Sequence, residues 1–499
     1  MALPADSIGV HARLQPERLV ARDLTTGETL TYREMDRLVG ALAARLLARG
    51  CVPGDRVAVI ARNAVWLVAL HFACGRAGLI YVPLNWRLGL AELLPMIEAA
   101  DPRLLFGDGG DEAARLAEVA VVEPLADLVA DAADCAPLTG IARDPDRPSL
   151  ILFTSGTSGR SKGVVLTERN LHQTAVNFGT LTRVGNQSVF LCEAPMFHII
   201  GLVTNIRPVL LQGGTILVSD GFDAARTLAR LADPALGVSH YVGVPQMMEA
   251  LRRQPGFDAN RLRGMTALVS GGAPHGLADL TAWLDDGLPL VLGYGMSEAG
   301  TVFGMSADVD VIRAHIGSVG IAMPSLETRL VRADGTACAA GEAGELLLRG
   351  AAITPGYWRN AEETARAIDA QGWFATGDIA RCDEQGFFWI VDRKKDMFIS
   401  GGENVYPAEI ELLLADYPGI RECALVGVPD ARWGEVGHLA VAAVSGFSVD
   451  EAALLAFLEE RLARYKLPKR VTMVDQLPRT ATGKVQKARL RAILIEGGG

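Results

Sequence analysis

The chain has 499 residues, 49% hydrophobic and 21% charged, with a formal net charge of −10. That length exceeds one compact domain, so two to four domains or subdomains are expected. The acidic balance argues against nucleic acid or an anionic membrane surface as partner, yet leaves room for a local basic patch that takes a small polyphosphate.

The N-terminal "MALPADSIGVHARLQPERL" lacks the apolar core of a secretory signal. "RVAVIA", "NAVWLVALHFACGRAG" and "YVPL" then alternate strand-like and helix-like runs. The most apolar window, "VWLVALHFACGRAGLIYVPL", is broken by His71, Arg76 and two glycines. It reads as a buried helix followed by a buried strand, not as a membrane span. The seven cysteines (Cys51, Cys74, Cys135, Cys192, Cys338, Cys382, Cys423) form no CxxC and no zinc spacing. Reduced thiols, mostly buried, and a cytoplasmic location follow.

"ILFTSGTSGRSKGVVLT", Ile151 to Thr167, delivers Thr154, Ser155, Gly156, Thr157, Ser158 and Gly159 from the end of an apolar strand. Small residues let backbone N–H groups close around a phosphate, the hydroxyls add donors and Lys162 adds charge. Ser161 stands where a Walker A loop needs glycine followed by lysine, which excludes the standard P-loop NTPase. "PMFHIIGL" sets His198 among apolar residues, and "HYVGV", "PQMMEALRRQ" and "ALVSGG" continue the alternation. "VSGGAPHG" ends a strand in Gly271, Gly272 and Ala273, where a flat ring can lie on bare backbone. "GYGMSEAG" offers Tyr294 for stacking beside Gly295 and Met296. Ser297 adds a hydroxyl for phosphate, and Glu298 a carboxylate for a hard cation such as Mg²⁺. From Ile316 to Asp392 glycines and short apolar runs suggest hairpins, with Asp378 of "TGDIA" able to accept both hydroxyls of a ribose. "DRKK", Asp392 to Lys395, is a candidate hinge before a last unit of roughly a hundred residues. Taken singly, each has a plain structural alternative: His198 and Tyr294 as core, Glu298 as a helix-start carboxylate, Asp378 as a turn residue, the hinge as a surface hairpin.

Taken in order, "FTSGTSGRSKGV", "PMFH", "GYGMSEAG", "TGDIARCDEQGFFWIVDRKKDMFISGGENVYPAEIE" and "PRTATGKVQK" resemble the acyl-adenylate-forming superfamily of acyl- and aryl-CoA synthetases, peptide-synthetase adenylation domains and beetle luciferases. The resemblance covers nearly the whole chain. It implies an α/β fold: a large N-terminal domain (1–392) of layered α/β subdomains plus a small β subdomain, a hinge at 393–395, and a small mobile α+β C-terminal domain (396–499). It implies that the loop from Thr154 to Lys162 holds the β- and γ-phosphates of ATP. Gly271, Gly272, Ala273 and Tyr294 would frame adenine, Ser297 would meet the α-phosphate, and Asp378 and Arg393 the ribose. Glu298 would hold Mg²⁺, Lys484 would serve adenylation, Lys395 would be the pivot, and Gly402 would line the thiol channel for coenzyme A.

The implied reaction is ATP-dependent activation of a free carboxylic acid to an acyl-adenylate, then transfer to the CoA thiol. No acid stands in "PMFHIIGL", where peptide-synthetase domains pair an α-ammonium, so an α-amino acid is disfavoured. The expected pocket walls are Ile199, Ile200, Val203, Val244, Met247, Gly293, Val302 and Phe303, suited to an aromatic ring or a medium-to-long alkyl chain. Arg207 could read a second carboxylate or serve in a structural salt bridge. Loading of a separate carrier protein and a non-enzymatic nucleotide sensor stay open as alternatives, and a homodimer is the default oligomer.

Overall fold

The computed structural model describes residues 6–133, 135–138, 144–154, 161–273, 275–415, 417–479 and 485–496. A six-stranded sheet runs in the order Glu123–Pro124, Leu104–Gly107, Arg56–Ile60, Ile80–Leu84, Pro148–Thr154, Lys162–Thr167. All its pairs are parallel except the last, an antiparallel hairpin in which Thr154 faces Lys162. A nine-stranded sheet runs Ile321–Ala322, Gly300–Gly304, Leu290–Met296, Ala267–Gly271, His240–Gly243, Val189–Cys192, Thr215–Val218, Leu19–Asp23, Thr29–Thr31. It is parallel from Leu290–Met296 through Leu19–Asp23 and antiparallel at both ends. Parallel strands covered on both faces read as continuous apolar runs, which is why "RVAVI" and "TILV" show no alternation.

The apolar window behaves as expected. Every residue of helix Val65–Ala77 except Trp66 is buried, and so is all of strand Ile80–Leu84. A helix that is apolar all round has no solvent face to present. Its two polar interruptions find charged partners inside: Arg76 pairs with Asp6 at 2.7 Å and Asp36 at 2.6 Å. His71 meets Arg207, whose Nε and terminal nitrogen lie 3.1 and 2.8 Å from its Nε2, though the His71 Nδ1 is buried with no hydrogen-bond partner among the described residues. Because Nε2 accepts, the ring proton sits on Nδ1 and the imidazole is neutral; burial, reinforced by the Arg207 charge, holds its pKa well below the ordinary value. Arg207 also donates to Glu168 at 2.9 Å, and Ser149 donates to the other carboxylate oxygen at 2.5 Å. Of the two readings open for Arg207, the structural salt bridge is the one formed.

The expected small β subdomain is a four-stranded antiparallel sheet, Leu326–Val331, Gly344–Gly350, Phe374–Cys382, Phe388–Arg393, around Phe303, Leu346, Leu348, Phe374 and Phe388. A turn at 394–396 leads to a separate sheet built on strands Ile420–Asp430 and Gly434–Ala443. There Leu425 packs with Ile410, Leu414 and Leu454 on one face, and its neighbours Ala424 and Val426 pack with Leu490 and Leu494 on the other. Successive strand side chains point to opposite faces, so one strand serves two cores. Asp392, just before the turn, accepts the Ala408 backbone N–H at 2.8 Å and so ties the two sheets' segments together. All seven cysteines are unpaired, but only Cys51, Cys74 and Cys192 are buried; the other four keep partial exposure, fewer buried than expected. No helix among the described residues is long and apolar enough to cross a membrane.

Candidate active site

Ligands of open α/β sheets bind beyond the carboxyl ends of parallel strands. Two such ends meet here: Gly271 and Gly293 are direct partners on neighbouring parallel strands. A Cβ on Gly271 would stand 2.9 Å from the Gly293 carbonyl oxygen, so the two backbones approach as only glycine allows. Gly272 and Ala273 are exposed just beyond. Tyr294, next on the adjacent strand, donates its hydroxyl to Asp378 at 2.6 Å. Burial and the Asp378 charge hold this phenol protonated, so it is the donor. Asp378 and Arg393 face each other across the antiparallel pair, with the guanidinium 3.6 Å from the carboxylate. The β subdomain thus brings Asp378 and Arg393 against the strand end of the nine-stranded sheet, with Tyr294 and Asp378 meeting across 84 positions of chain.

Glu298 follows that strand. The Tyr357 hydroxyl donates to its Oε1 at 3.1 Å, and the Thr354 N–H donates to its backbone carbonyl at 2.7 Å. Thr354 and Tyr357 belong to a segment laid along strand Lys162–Thr167, where the Val165 N–H donates to the Gly356 carbonyl and the Trp358 N–H to the Gly163 carbonyl. This layout sets the Tyr357 ring under the Lys162 ammonium, 5.3 Å from its centroid. Lys162 pairs with Glu363. Tyr357 and Glu363 were not foreseen; "PGYWRNAEET" carries no spacing that marks them. Ser297 lies partly exposed between Met296 and Glu298. One carboxylate suits a cation delivered on a polyphosphate, since Mg²⁺ keeps waters and substrate oxygens as ligands. No cluster of three or more His, Cys, Asp or Glu able to hold a metal occurs among the described residues.

Burial pushes the Glu298 carboxyl above its ordinary value, opposed by hydrogen bonds from its own backbone and Tyr357 and by the charges of Lys162 and Arg393. A carboxylate that holds a cation does so in its ionised form. If Glu298 holds the cation of MgATP, its raised pKa is expected to shift the acidic limb of kcat/KM for MgATP upward from that of an ordinary glutamate. Tyr357→Phe removes a bond that favours the charged form, so it is expected to move that limb to still higher pH, measured as pyrophosphate release across the acid range. A limb that moved down or stayed fixed would count against Glu298 as the titrating group.

The segment "PMFHIIGL" is held by Asn63, whose amide donates to the Ala194 carbonyl and accepts the Met196 N–H, both at 2.9 Å. A single π-turn follows, Ile200–Thr204, closed by the Asn205 N–H on the Ile200 carbonyl. A Cβ on Gly201 would fall 2.1 Å from the Pro195 carbonyl oxygen, so only glycine lets this turn fold onto the loop. The turn aims Ile200 at the strand ends: a Cβ on Gly272 would lie 3.8 Å from both Ile200 and Val244. His198, Ile199, Ile200, Val244, Met247 and Gly293 all retain partial exposure. Val203, Val302 and Phe303, expected with them as pocket walls, do not. All three are fully buried, Val203 in the large core and the other two in the β-subdomain core, where Phe303 stacks on Phe388 at 4.4 Å.

Lys395 and Gly402 are exposed, one in the turn 394–396 and the other between strands Phe398–Ser400 and Glu403–Val405. Ser155, Gly156, Thr157, Ser158, Gly159 and Lys484 lie outside the described residues.

Comparison with known proteins bears on the whole of this arrangement. A family model described as "AMP-binding enzyme" matches residues 9–358, and one described as "AMP-binding enzyme C-terminal domain" matches residues 409–484. A feruloyl-CoA synthase of an Amycolatopsis species is 39% identical over 490 residues, covering 96% of this chain and 97% of the relative. An indoleacetate–CoA ligase of Aromatoleum aromaticum is 35% identical over 502 residues, covering 97% and 96%. The crystal structure of ATP-bound MatB from Rhodopseudomonas palustris superposes with a TM-score of 0.89 at 32% identity, covering 98% of this chain and 99% of that one. The chain belongs to the AMP-binding enzyme family and is an AMP-forming acid–CoA ligase.

Proposed function

We propose that this ligase activates a flat, apolar monocarboxylic acid of the aryl-propenoic or arylalkanoic kind. The observation that carries the reading is the apolar setting of Gly272, where bare backbone meets the aliphatic side chains of Ile200 and Val244, each 3.8 Å from where a Cβ would stand. A flat ring can lie along bare glycine backbone edged by aliphatic side chains, whereas a flexible alkyl chain loses rotamer freedom when it is held there. Arg207 is committed to Glu168, which argues against a second carboxylate on the substrate. The feruloyl and indoleacetate relatives support an aromatic acid.

In this reading Tyr294, Gly271 and Gly272 seat the adenine, Asp378 and Arg393 the ribose, and Glu298 the Mg²⁺ that accompanies ATP. The substrate carboxylate is already ionised at neutral pH, so adenylation needs no general base. Its oxygen attacks the α-phosphorus, the bond to the bridging oxygen breaks, and pyrophosphate leaves. Two anions must approach, so Lys484 is assigned to the attacking carboxylate and α-phosphate. The CoA thiol then loses its proton to solvent, attacks the acyl carbon, and AMP departs. Rotation about 393–395 exchanges Lys484 for the loop bearing Gly402 between the two steps. Unpaired cysteines throughout suit a reducing, cytoplasmic compartment.

The test is pyrophosphate release and CoA-ester formation over hydroxycinnamic, arylacetic, benzoic and C6–C16 straight-chain acids. An aryl-propenoic or arylacetic acid is expected to exceed the best straight-chain acid by at least about tenfold in kcat/KM, the scale on which apolar pockets discriminate. A straight-chain acid in first place would overturn the assignment.

A further inference from the structure

Lys162 opens strand Lys162–Thr167, and its ammonium is already engaged: it pairs with Glu363 on helix Ala361–Ala367 and lies over the Tyr357 ring. Both partners are shielded, the side chains retaining 17% and 23% of their exposure. The same tyrosine holds Glu298 through its hydroxyl, so the lysine rests beside the carboxylate assigned to the MgATP cation. A triphosphate arriving here meets a lysine whose charge is spent on Glu363.

The carboxylate has a second partner ready. Its Oε1 accepts from Arg366 at 2.8 Å, one turn along the same helix, while Oε2 faces Lys162. Losing the lysine therefore leaves Glu363 paired rather than stranded. Lys162, for its part, ends in a compact head with three donors on a flexible four-carbon stem, which lets it change partners without moving its backbone. The exchange of one anion for another at the ammonium keeps charge balanced on both sides.

We propose that Glu363 is the resting counter-ion of Lys162, and that ATP binds by taking the lysine from it, so that Glu363 sets the affinity for the nucleotide triphosphate. This rests on the reading of Lys162 as a contact to the β- and γ-phosphates. AMP carries neither phosphate, so it gains nothing from displacing Glu363. Run in reverse, the exchange returns Lys162 to Glu363 as pyrophosphate leaves. Glu363 touches no substrate in this scheme; it acts through the lysine as a positioning residue.

The experiment is equilibrium titration of MgATP and, separately, AMP, without acid or CoA, against the full-length protein and its Glu363→Gln, Lys162→Ala and double variants. Glu363→Gln, nearly isosteric on a partly exposed helix, is expected to tighten MgATP roughly three- to tenfold, the scale of one shielded ion pair, and to leave AMP unchanged. Lys162→Ala is expected to weaken MgATP, and adding Glu363→Gln to it to change nothing further. If Lys162→Ala weakens MgATP while Glu363→Gln leaves it unchanged or weakens it, the competition is refuted and the phosphate role of Lys162 stands. If Lys162→Ala leaves MgATP unaffected, the phosphate role itself fails. Equal tightening of AMP by Glu363→Gln would mark a general structural effect and also refute the proposal.

Discussion

In single-turnover measurements, Glu298→Gln is expected to slow acyl-adenylate formation by a few hundredfold, about 3–4 kcal/mol of barrier. The substitution keeps the shape of the side chain and an oxygen for the Tyr357 hydroxyl, so the 3.1 Å bond from Tyr357 and the backbone contact to Thr354 can persist. What it removes is one negative charge in a partly buried setting, where water does little to replace it. Because the loss is of cation binding, excess Mg²⁺ should recover part of the rate. Lys484→Ala is expected to slow the same step by a similar factor. The two variants separate on the second half-reaction: with acyl-adenylate supplied, Lys484→Ala should form CoA ester at nearly the parent rate, since in the proposed scheme its charge serves only the approach of two anions. Equal slowing of both steps by Lys484→Ala would count against its assignment to adenylation and against the exchange of lysine for the Gly402 loop.

Arg207→Leu is expected to cost about 3–5 kcal/mol of stability, a large share of the ~5–15 kcal/mol that holds a typical domain folded. The substitution strands Glu168, whose side chain keeps 11% of its exposure, with Ser149 as the remaining hydrogen-bond donor of its carboxylate. Replacing Glu168 and Arg207 together by leucine should cost less than Arg207→Leu alone, because an uncompensated buried charge is worse than none. The pH dependence has a definite sign. Burial acts to raise the Glu168 pKa, but the charge and hydrogen bonds of Arg207, with the Ser149 hydroxyl, overcome it and hold the carboxyl far below its ordinary 4.5. A depressed carboxyl contributes stability above its unfolded pKa and loses it as pH falls through the native one. In Arg207→Leu burial wins and Glu168 can take up a proton in the fold. The deficit relative to the parent should therefore shrink as pH falls through the ordinary carboxylate range, read as the gap between urea midpoints. A gap independent of pH would mean that the pair contributes by packing alone. Arg207 opens the helix that follows the Ile200–Thr204 turn, so this pair also anchors the segment that carries Ile200.

The chemistry of the chain was legible without its fold wherever local sequence dictates local backbone. A strand ending in glycines, a tyrosine beside them, and a glutamate directly after a serine hydroxyl are all set within short segments, and their order along the chain carries the resemblance to the adenylate-forming superfamily. The all-apolar helix Val65–Ala77 and the hairpin-rich β subdomain were equally plain, since burial on every side and frequent tight turns leave their marks in composition. Arg207, Tyr357, Glu363 and the places of Val302 and Phe303 were decided only in three dimensions. Arg207 finds Glu168 39 positions away, Tyr357 finds Glu298 59 away, and Lys162 finds Glu363 201 away. No periodicity connects such partners. Val302 and Phe303, expected as pocket walls, are buried in another core, because which face of a strand is covered depends on the sheet packed behind it. Local chain chemistry carries the family resemblance; long-range packing fixes the charge partners.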